Sequence, residues 1–287
     1  SNLGIEPTKS TANVAKKKGI EVFNGFFSQQ TAEKIIRNYK KADLIIGNNV
    51  YAHVPDINDF TKAIKILLKK NGVVTLEFPH ILNLINENQF DTIYHEHFSY
   101  LSLLTVSKIF KTNGLKIYNV KKLKTHGGSI RVYGCHQNNN LKISNSINRT
   151  LNEEYDFGLN NLRIYNNFQE KVNKIKYELT NYLTKINNGK NTIVAYGAAA
   201  KGNTLLNYCE IDGNLISVVF DKSKSKQNKF MPGSNIPIKN TSEINNYKPD
   251  YIMILPWNLS EEIMKELQII LLKPARFFKA IPNLIEL

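Results

Sequence analysis

Apolar residues recur along this chain in two alternating rhythms: short unbroken runs, then stretches in which they return at every third or fourth position. Ala42-Asp-Leu-Ile-Ile-Gly-Asn-Asn-Val50 and Val73-Val-Thr-Leu-Glu-Phe-Pro79 are apolar at their centres, as strands buried on both faces are. Residues 3–6 and 21–27 read as shorter strands, the first closed by Pro7, which cannot donate to a ladder. Helices are predicted over 11–18 with Gly19 as the stop, over 31–41, and over 59–70. In the last, Phe60, Ile64, Leu67 and Leu68 share a face ahead of Asn71-Gly72. A further helix over 101–113, ended by Gly114, precedes two strands at 115–124 and 129–136.

Polar residues from 137 to 148 read as a connection. From 153 to 186 one long charged helix is predicted, with Leu159, Leu162, Tyr165, Phe168, Val172, Ile175, Leu179 and Leu183 along one apolar face; its role is read as structural packing. Strands at 191–197, 217–221 and 251–256, with an edge at 276–281, alternate with helices, the first of which begins near Lys201. The expectation is α/β, with two doubly wound sheets in domains of 1–140 and 191–287, joined by a linker and long helix over 141–190. No internal repeat is evident.

Composition changes this picture little. The chain has 287 residues and is 42% hydrophobic, enough for two cores. It has no run of about 18 apolar residues to span a membrane. Its two cysteines, Cys135 and Cys209, suit a reducing compartment such as the cytoplasm and are too few for a zinc site. The formal net charge of +14 raises nucleic acid as a partner. Yet the lysines are scattered, and the dense runs Lys16-Lys-Lys18 and Lys222-Ser-Lys-Ser-Lys-Gln-Asn-Lys229 lack the interleaved aromatics of a single-strand platform. Nucleic acid and membrane are set aside, and the positive excess is read as attraction for a nucleotide diphosphate.

Candidate chemistry concentrates in Asp91-Thr-Ile-Tyr-His-Glu-His-Phe-Ser-Tyr100, which holds two histidines, two acids and two tyrosines. Histidine titrates near pH ~6.5 and so exchanges protons in neutral water. The segment lies between Pro79 and a predicted helix, a loop position where catalytic side chains are commonly carried. A metal at His95-Glu96-His97 would need more ligands than are at hand, and no second cluster exists, so no metal is expected. A polar loop whose histidines only cap backbone stands beside the catalytic reading.

Other candidates lie at strand ends. Glu6 is placed as an acid that accepts ribose hydroxyls, and Asn48 and Asn49 are at a strand's carboxyl end, where open α/β sheets bind ligands. Phe26 or Phe27 offers an aromatic face to adenine. Glu77 and His80 border the same crevice. His126-Gly127-Gly128 offers backbone N–H groups to an anion, with Arg131 as a counter-charge. The strand, glycine turn and helix start at 191–204 present N–H groups and a positive dipole end to phosphate, making Ala198, Lys201 and Asn203 candidate substrate contacts. That turn lacks the full dinucleotide and phosphate-loop patterns.

Five motifs, Leu3-Gly-Ile-Glu-Pro7, Asn48-Asn-Val-Tyr-Ala-His-Val-Pro-Asp56, Tyr94-His-Glu-His97, His126-Gly-Gly-Ser-Ile-Arg131 and Tyr196-Gly-Ala-Ala-Ala-Lys-Gly-Asn-Thr204, follow one another along nearly the whole chain. In that order the chain resembles the S-adenosylmethionine-dependent sugar C-methyltransferases that act on nucleotide-linked keto-sugars. The resemblance implies Rossmann-like sheets, the first an incomplete methyltransferase domain, with S-adenosylmethionine near Glu6, Phe26, Asn48 and Asn49. It implies His97 as the base that takes the proton beside the sugar ketone, Tyr94 and Glu96 as orienting or polarising groups, and His53 as stabiliser of the enolate oxygen. The family's cysteine-rich zinc-binding region and glycine-rich cofactor loop have no counterpart here, and Ser1-Asn2 reads as a cloning scar. The chain is therefore expected to be the C-terminal portion of a longer protein, with the N-terminal portion as its partner. The rival expectation is a non-catalytic fragment for sugar-nucleotide binding or assembly.

Overall fold

The computed structural model describes residues 2–287, so Ser1 and the scar reading attached to it lie outside the described residues. Contacts divide the chain into two units, Ser1–His80 with Phe98–Phe157, and Ile81–His97 with Gly158–Leu287. The division differs from the one expected at 140 and 190. The first helix after residue 140 stays with the first unit, and the segment rich in titratable groups belongs to the second.

Along the chain, the first elements are β1 (Gly4–Glu6), α1 (Lys9–Lys17), β2 (Val22–Asn24), α2 (Gln29–Asn38), β3 (Ala42–Asn48), α3 (Ile57–Leu67) and β4 (Leu68–Pro79). The short α4 (Ile81–Asn86) falls in the second unit, and α5 (Leu103–Thr112), β5 (Leu115–Leu123), β6 (Ser129–His136) and α6 (Asn145–Phe157) return to the first. In the first unit β3-β4-β6-β5 form a sheet in which β3 runs parallel to β4 while β6 is antiparallel to both its neighbours. β1 and β2 pair separately and in parallel. Alternate residues of β4, Val74, Leu76 and Phe78, enter one apolar cluster with Tyr51, Ile64 and Phe110, as the period of two along a strand requires. Full burial of such a side chain is worth roughly 1.5–3 kcal/mol. Leu3, Ile5 of β1 and Ile45 of β3 pack with Ala32, Ile35, Ala63 and Leu67 of α2 and α3.

Two boundaries depart from the periodic reading. The helix expected over 59–70 ends at Leu67, and Leu68 is already extended, so Asn71-Gly72 lies inside β4 rather than in a stop. A Cβ on Gly72 would sit 2.8 Å from the carbonyl oxygen of Ala42, which explains a glycine where the two strands approach. The long helix expected over 153–186 is two helices. Gly158 adopts φ +91°, closed to most side chains, and Asn161 then caps a new helix by accepting from the N–H of Arg163.

The second unit continues with α7 (Leu162–Ile186), β7 (Ile193–Tyr196), α8 (Ala200–Tyr208), β8 (Val219–Phe220), β9 (Ile238–Lys239), α9 (Ile244–Tyr247), β10 (Tyr251–Ile254), α10 (Ser260–Ile270), β11 (Arg276–Lys279) and β12 (Ile285–Glu286). Its sheet has the order β12-β11-β10-β7-β8-β9 and is parallel except for β12. Ile193, Ala195, Met253 and Phe278 face Val172, Ile175, Leu179 and Leu183 of α7. Val194, Ile252 and Phe277 face Ile263 and Leu267 of α10. Helices on both faces make this half doubly wound, as expected, although β11 is not the edge because β12 lies outside it. Among the described residues no helix is long and apolar enough to cross a membrane, and no group of three or more His, Cys, Asp or Glu is placed to hold a metal.

Candidate functional site

The turn from β7 into α8 is built around Gly197, whose φ is +90° and whose added Cβ would lie 2.4 Å from the Pro256 ring. Asp221, just past β8, accepts the N–H of Ala198 at 2.7 Å and so holds the turn shut. No side chain caps α8 at Ala199, which leaves its first turn to present N–H groups and the positive end of the helix dipole outward. That end opens on a cavity of about 1130 Å³. Its wall includes Tyr94, His95 and Glu96 from the Ile81–His97 segment, together with Asn203, Lys226 and Lys229. The Asn203 side-chain oxygen is buried there with no hydrogen-bond partner among the described residues. Phe230, 63% exposed, adds an aromatic face to the same wall.

The titratable segment is fastened to the second unit from inside. Phe90 belongs to that unit's apolar core, with its ring centroid 5.0 Å from that of Tyr208. Asp91 accepts from the indole N–H of Trp257 at 2.7 Å. Beyond this point the chain turns, with the N–H of His97 donating to the carbonyl of Tyr94 at 3.0 Å and their rings 4.5 Å apart. His97 Nδ1 lies 2.7 Å from the carbonyl oxygen of Thr92. A carbonyl only accepts, so Nδ1 carries the proton, and in the neutral ring Nε2 is the basic nitrogen. His95 and Glu96 are exposed, and His97 is half-buried.

The predicted contacts at the head of α8 therefore separate. Asn203 faces the cavity. Ala198 lines it too, but its N–H is already given to Asp221. Lys201 is turned elsewhere, donating to Asn258 Oδ1 and lying 4.4 Å from the centre of the Trp257 ring. The lysines on the cavity are Lys226 and Lys229, from a run whose spacing alone marks only a solvated face. Their signal in the sequence was the position after a strand ending in Asp221.

In the first unit Glu6 ends β1, with Oε1 accepting the N–H of Thr8 at 2.7 Å. Asn48 and Asn49 are exposed at the end of β3, Asn49 in the left-handed region that asparagine tolerates. Phe26 is 76% exposed, while Phe27 packs edge-on against Phe60 at 5.1 Å. An acceptor for hydroxyls, two amides and an open ring at strand ends suit the nucleoside end of S-adenosylmethionine. His53 closes a short 3-10 turn after β3 and is half-buried.

Three of the remaining first-unit candidates, Glu77, His80 and Arg131, are engaged internally. Glu77 and Arg131 stand opposite each other across β4 and β6. Arg131 donates to the Glu77 carboxylate at 2.7 Å and Thr125 at 2.8 Å. Burial pushes the Glu77 carboxyl up, but these hydrogen bonds and the Arg131 charge outweigh it and hold it below the ordinary value. His80 is buried against Glu154 at 2.7 Å, and Glu154 also takes the N–H groups of Leu103 and Leu104 at the start of α5. These three side chains hold the fold together, which periodicity and motif spacing do not reveal. His126 is exposed at φ +54° in the 3-10 turn before β6.

Comparison with known proteins gives two successive matches along the chain, whose boundary near residue 120 does not coincide with that of the two units. Residues 2–120 match the methyltransferase domain family, and residues 124–282 match the C-methyltransferase C-terminal domain family. The chain is 31% identical over 281 residues to the C-methyltransferase NovU of Streptomyces niveus, an alignment covering 98% of this chain and 67% of that protein. Solved structures similar to part of the chain include a SAM-dependent methyltransferase of Thermotoga maritima, at 17% identity and a TM-score of 0.38, covering 47% of this chain and 72% of that one. Another is the magnesium protoporphyrin IX methyltransferase of Synechocystis with bound SAH, at 13% identity and a TM-score of 0.37, covering 47% and 63%.

Proposed function

This chain belongs to the S-adenosylmethionine-dependent C-methyltransferase family, and from that premise we propose that its substrate is a nucleotide-linked keto-deoxysugar methylated at the carbon beside the ketone. The observation that carries the reading is the second unit's cavity, where the Tyr94-His95-Glu96 wall and the head of α8 meet Lys226 and Lys229. Backbone N–H groups at a helix start and two ammonium groups suit a diphosphate. Asn203 has a buried oxygen in search of a donor, such as a sugar hydroxyl or a base N–H. Phe230 offers a ring on which a base can stack.

His97 takes the proton from the carbon beside the ketone onto Nε2, and the bond's electron pair passes into an enolate. Thr92 keeps that nitrogen basic by occupying Nδ1–H. Tyr94, whose ring lies against that of His97, orients the imidazole, and Glu96 polarises the loop around it. The developing oxyanion must itself be stabilised, since such a proton is acidic only when the negative oxygen is held by donors. When bound, S-adenosylmethionine supplies the methyl group that the carbon receives. Glu6, Phe26, Asn48 and Asn49 would hold its nucleoside end. Glu77, His80 and Arg131 are left out of the substrate contacts because each is committed to a partner.

Proton removal is separable from methyl transfer. Incubated with a nucleoside-diphosphate keto-sugar in heavy water, without cofactor, the protein should exchange the proton beside the ketone, as followed by NMR. His97→Asn should slow that exchange by at least ~100-fold, the usual scale of general-base catalysis. Tight substrate binding with no exchange in the wild type would favour a binding module. Normal exchange in His97→Asn would move the base to Tyr94, Glu96 or His53.

A further inference from the structure

Behind the cavity wall, the second unit keeps an acid, a lysine and a tryptophan that the reading above does not use. Asp91 has no exposed surface. Its Oδ2 accepts from Trp257 Nε1 at 2.7 Å, and its Oδ1 is buried with no hydrogen-bond partner among the described residues. Lys201, in the first turn of α8, lies 4.4 Å from the centre of the Trp257 ring and donates to Asn258. Trp257 and Asn258 come from the 3-10 turn after β10, and Asp91 from the 3-10 turn Phe90–Thr92. Three separate segments thus meet at one buried carboxylate.

We propose that Asp91, Trp257 and Lys201 form a positioning device for His97, acting through the carbonyl of Thr92. The inference rests on the reading of His97 as the base. Thr92 follows Asp91 in the same short turn, and its carbonyl oxygen accepts from His97 Nδ1 at 2.7 Å. Wherever Asp91 is held, that acceptor is held too. A shift of about an ångström would break the Nδ1–H···O bond, let both ring tautomers coexist and leave Nε2 protonated part of the time. Buried ionisable groups seldom improve stability over apolar side chains of the same volume, so their presence points to a demand for position. Burial drives the Asp91 carboxyl up to about 7 against the pull of Lys201 and the Trp257 hydrogen bond, and burial lowers Lys201. Because α8 also forms the cavity wall, the device ties the base to the helix that receives the ligand.

The test uses ¹⁵N-histidine-labelled protein at a pH where the ring is neutral, with the His97 signals assigned by their loss in His97→Asn. Wild-type His97 should show a single tautomer protonated at Nδ1. Trp257→Phe keeps the ring over Lys201 but removes the N–H, and Asp91→Ala removes the acceptor; both should show mixed tautomers. Asp91→Asn, which keeps an oxygen for Trp257, should retain the wild-type tautomer. In Trp257→Phe the exchange kcat should fall on the order of 100-fold, as displacement of a catalytic group by about 1 Å commonly costs, with KM for the nucleotide keto-sugar unchanged. If that variant fails to fold, Lys201→Met carries the same measurement. A single Nδ1–H tautomer persisting in Trp257→Phe and Asp91→Ala, or a change in KM alone, overturns the device. The tautomer is read without substrate, so a wild type that never exchanges the sugar proton sinks the base assignment while leaving the tautomer result to decide on the device.

Discussion

Asp91 carries an energetic signature that can be measured apart from catalysis. Unfolded, its carboxyl ionises near the ordinary value of 3.8; folded, burial raises it to about 7. Between these values the folded state holds a proton that the unfolded state has lost, so stability is fully present below the lower value and falls as pH rises through the window. The accumulated loss is on the order of 4 kcal/mol, level above the upper value. Urea unfolding from about pH 4 to 7 should show wild type losing ground steadily to Asp91→Asn, whose side chain does not titrate. A pH-independent difference between the two would contradict the buried, ionisable state. Glu77 and Glu154 show the opposite economy: their carboxylates are saturated by Arg131, Thr125, His80 and backbone N–H groups. Residue type alone marks all three acids alike in the sequence. Only the partners distinguish them.

At the level of elements, the β7–α8 connection joins fold and site. Gly197 is required twice, by its positive φ and by the Pro256 ring 2.4 Å from where a Cβ would stand. Gly197→Ala should cost about 1–3 kcal/mol in unfolding free energy from backbone strain and weaken nucleoside-diphosphate binding in parallel, as measured by denaturation and calorimetry. Unchanged binding would show that the head of α8 is not the phosphate contact. This connection was legible in advance, because a strand, a glycine and a helix start are adjacent in sequence. The break between α6 and α7 was not. The apolar stripe passes through residues 159–168 with helical spacing, and the conformations of Gly158 and Asn161 interrupt it. The start of β4 at Leu68 escaped for a similar reason, since Leu67 and Leu68 suit a helix face as well as a strand.

For the whole molecule, the net charge of +14 draws anions from a distance, and Lys226 and Lys229 supply the local part at the cavity. Changing either lysine to Gln should raise the Kd for a nucleoside diphosphate roughly tenfold, in line with the 1.5–3 kcal/mol of a charged hydrogen bond. The double variant should also show a shallower salt dependence than wild type, because screening acts on the attraction it has lost. Equal salt slopes, with unchanged Kd, would place the diphosphate elsewhere. Lys201→Gln is expected to leave this affinity intact, which separates the cavity lysines from the buried one.

The sequence by itself determined the kinds of elements, their order and the family, since strand and helix periods and five motifs are local properties written in consecutive residues. It also determined that titratable side chains are concentrated at residues 94–97. Only the tertiary structure decided which core claims each segment. Phe90 and Asp91 bury themselves among α8 and the turn after β10, so the Ile81–His97 segment joins the second unit although it lies between strands of the first. The same long-range packing turned Lys201 inward, onto Trp257 and Asn258. Partners more than 20 residues apart are chosen by the fit of packed surfaces and the need to satisfy buried polar atoms, and neither leaves a periodic trace in the chain.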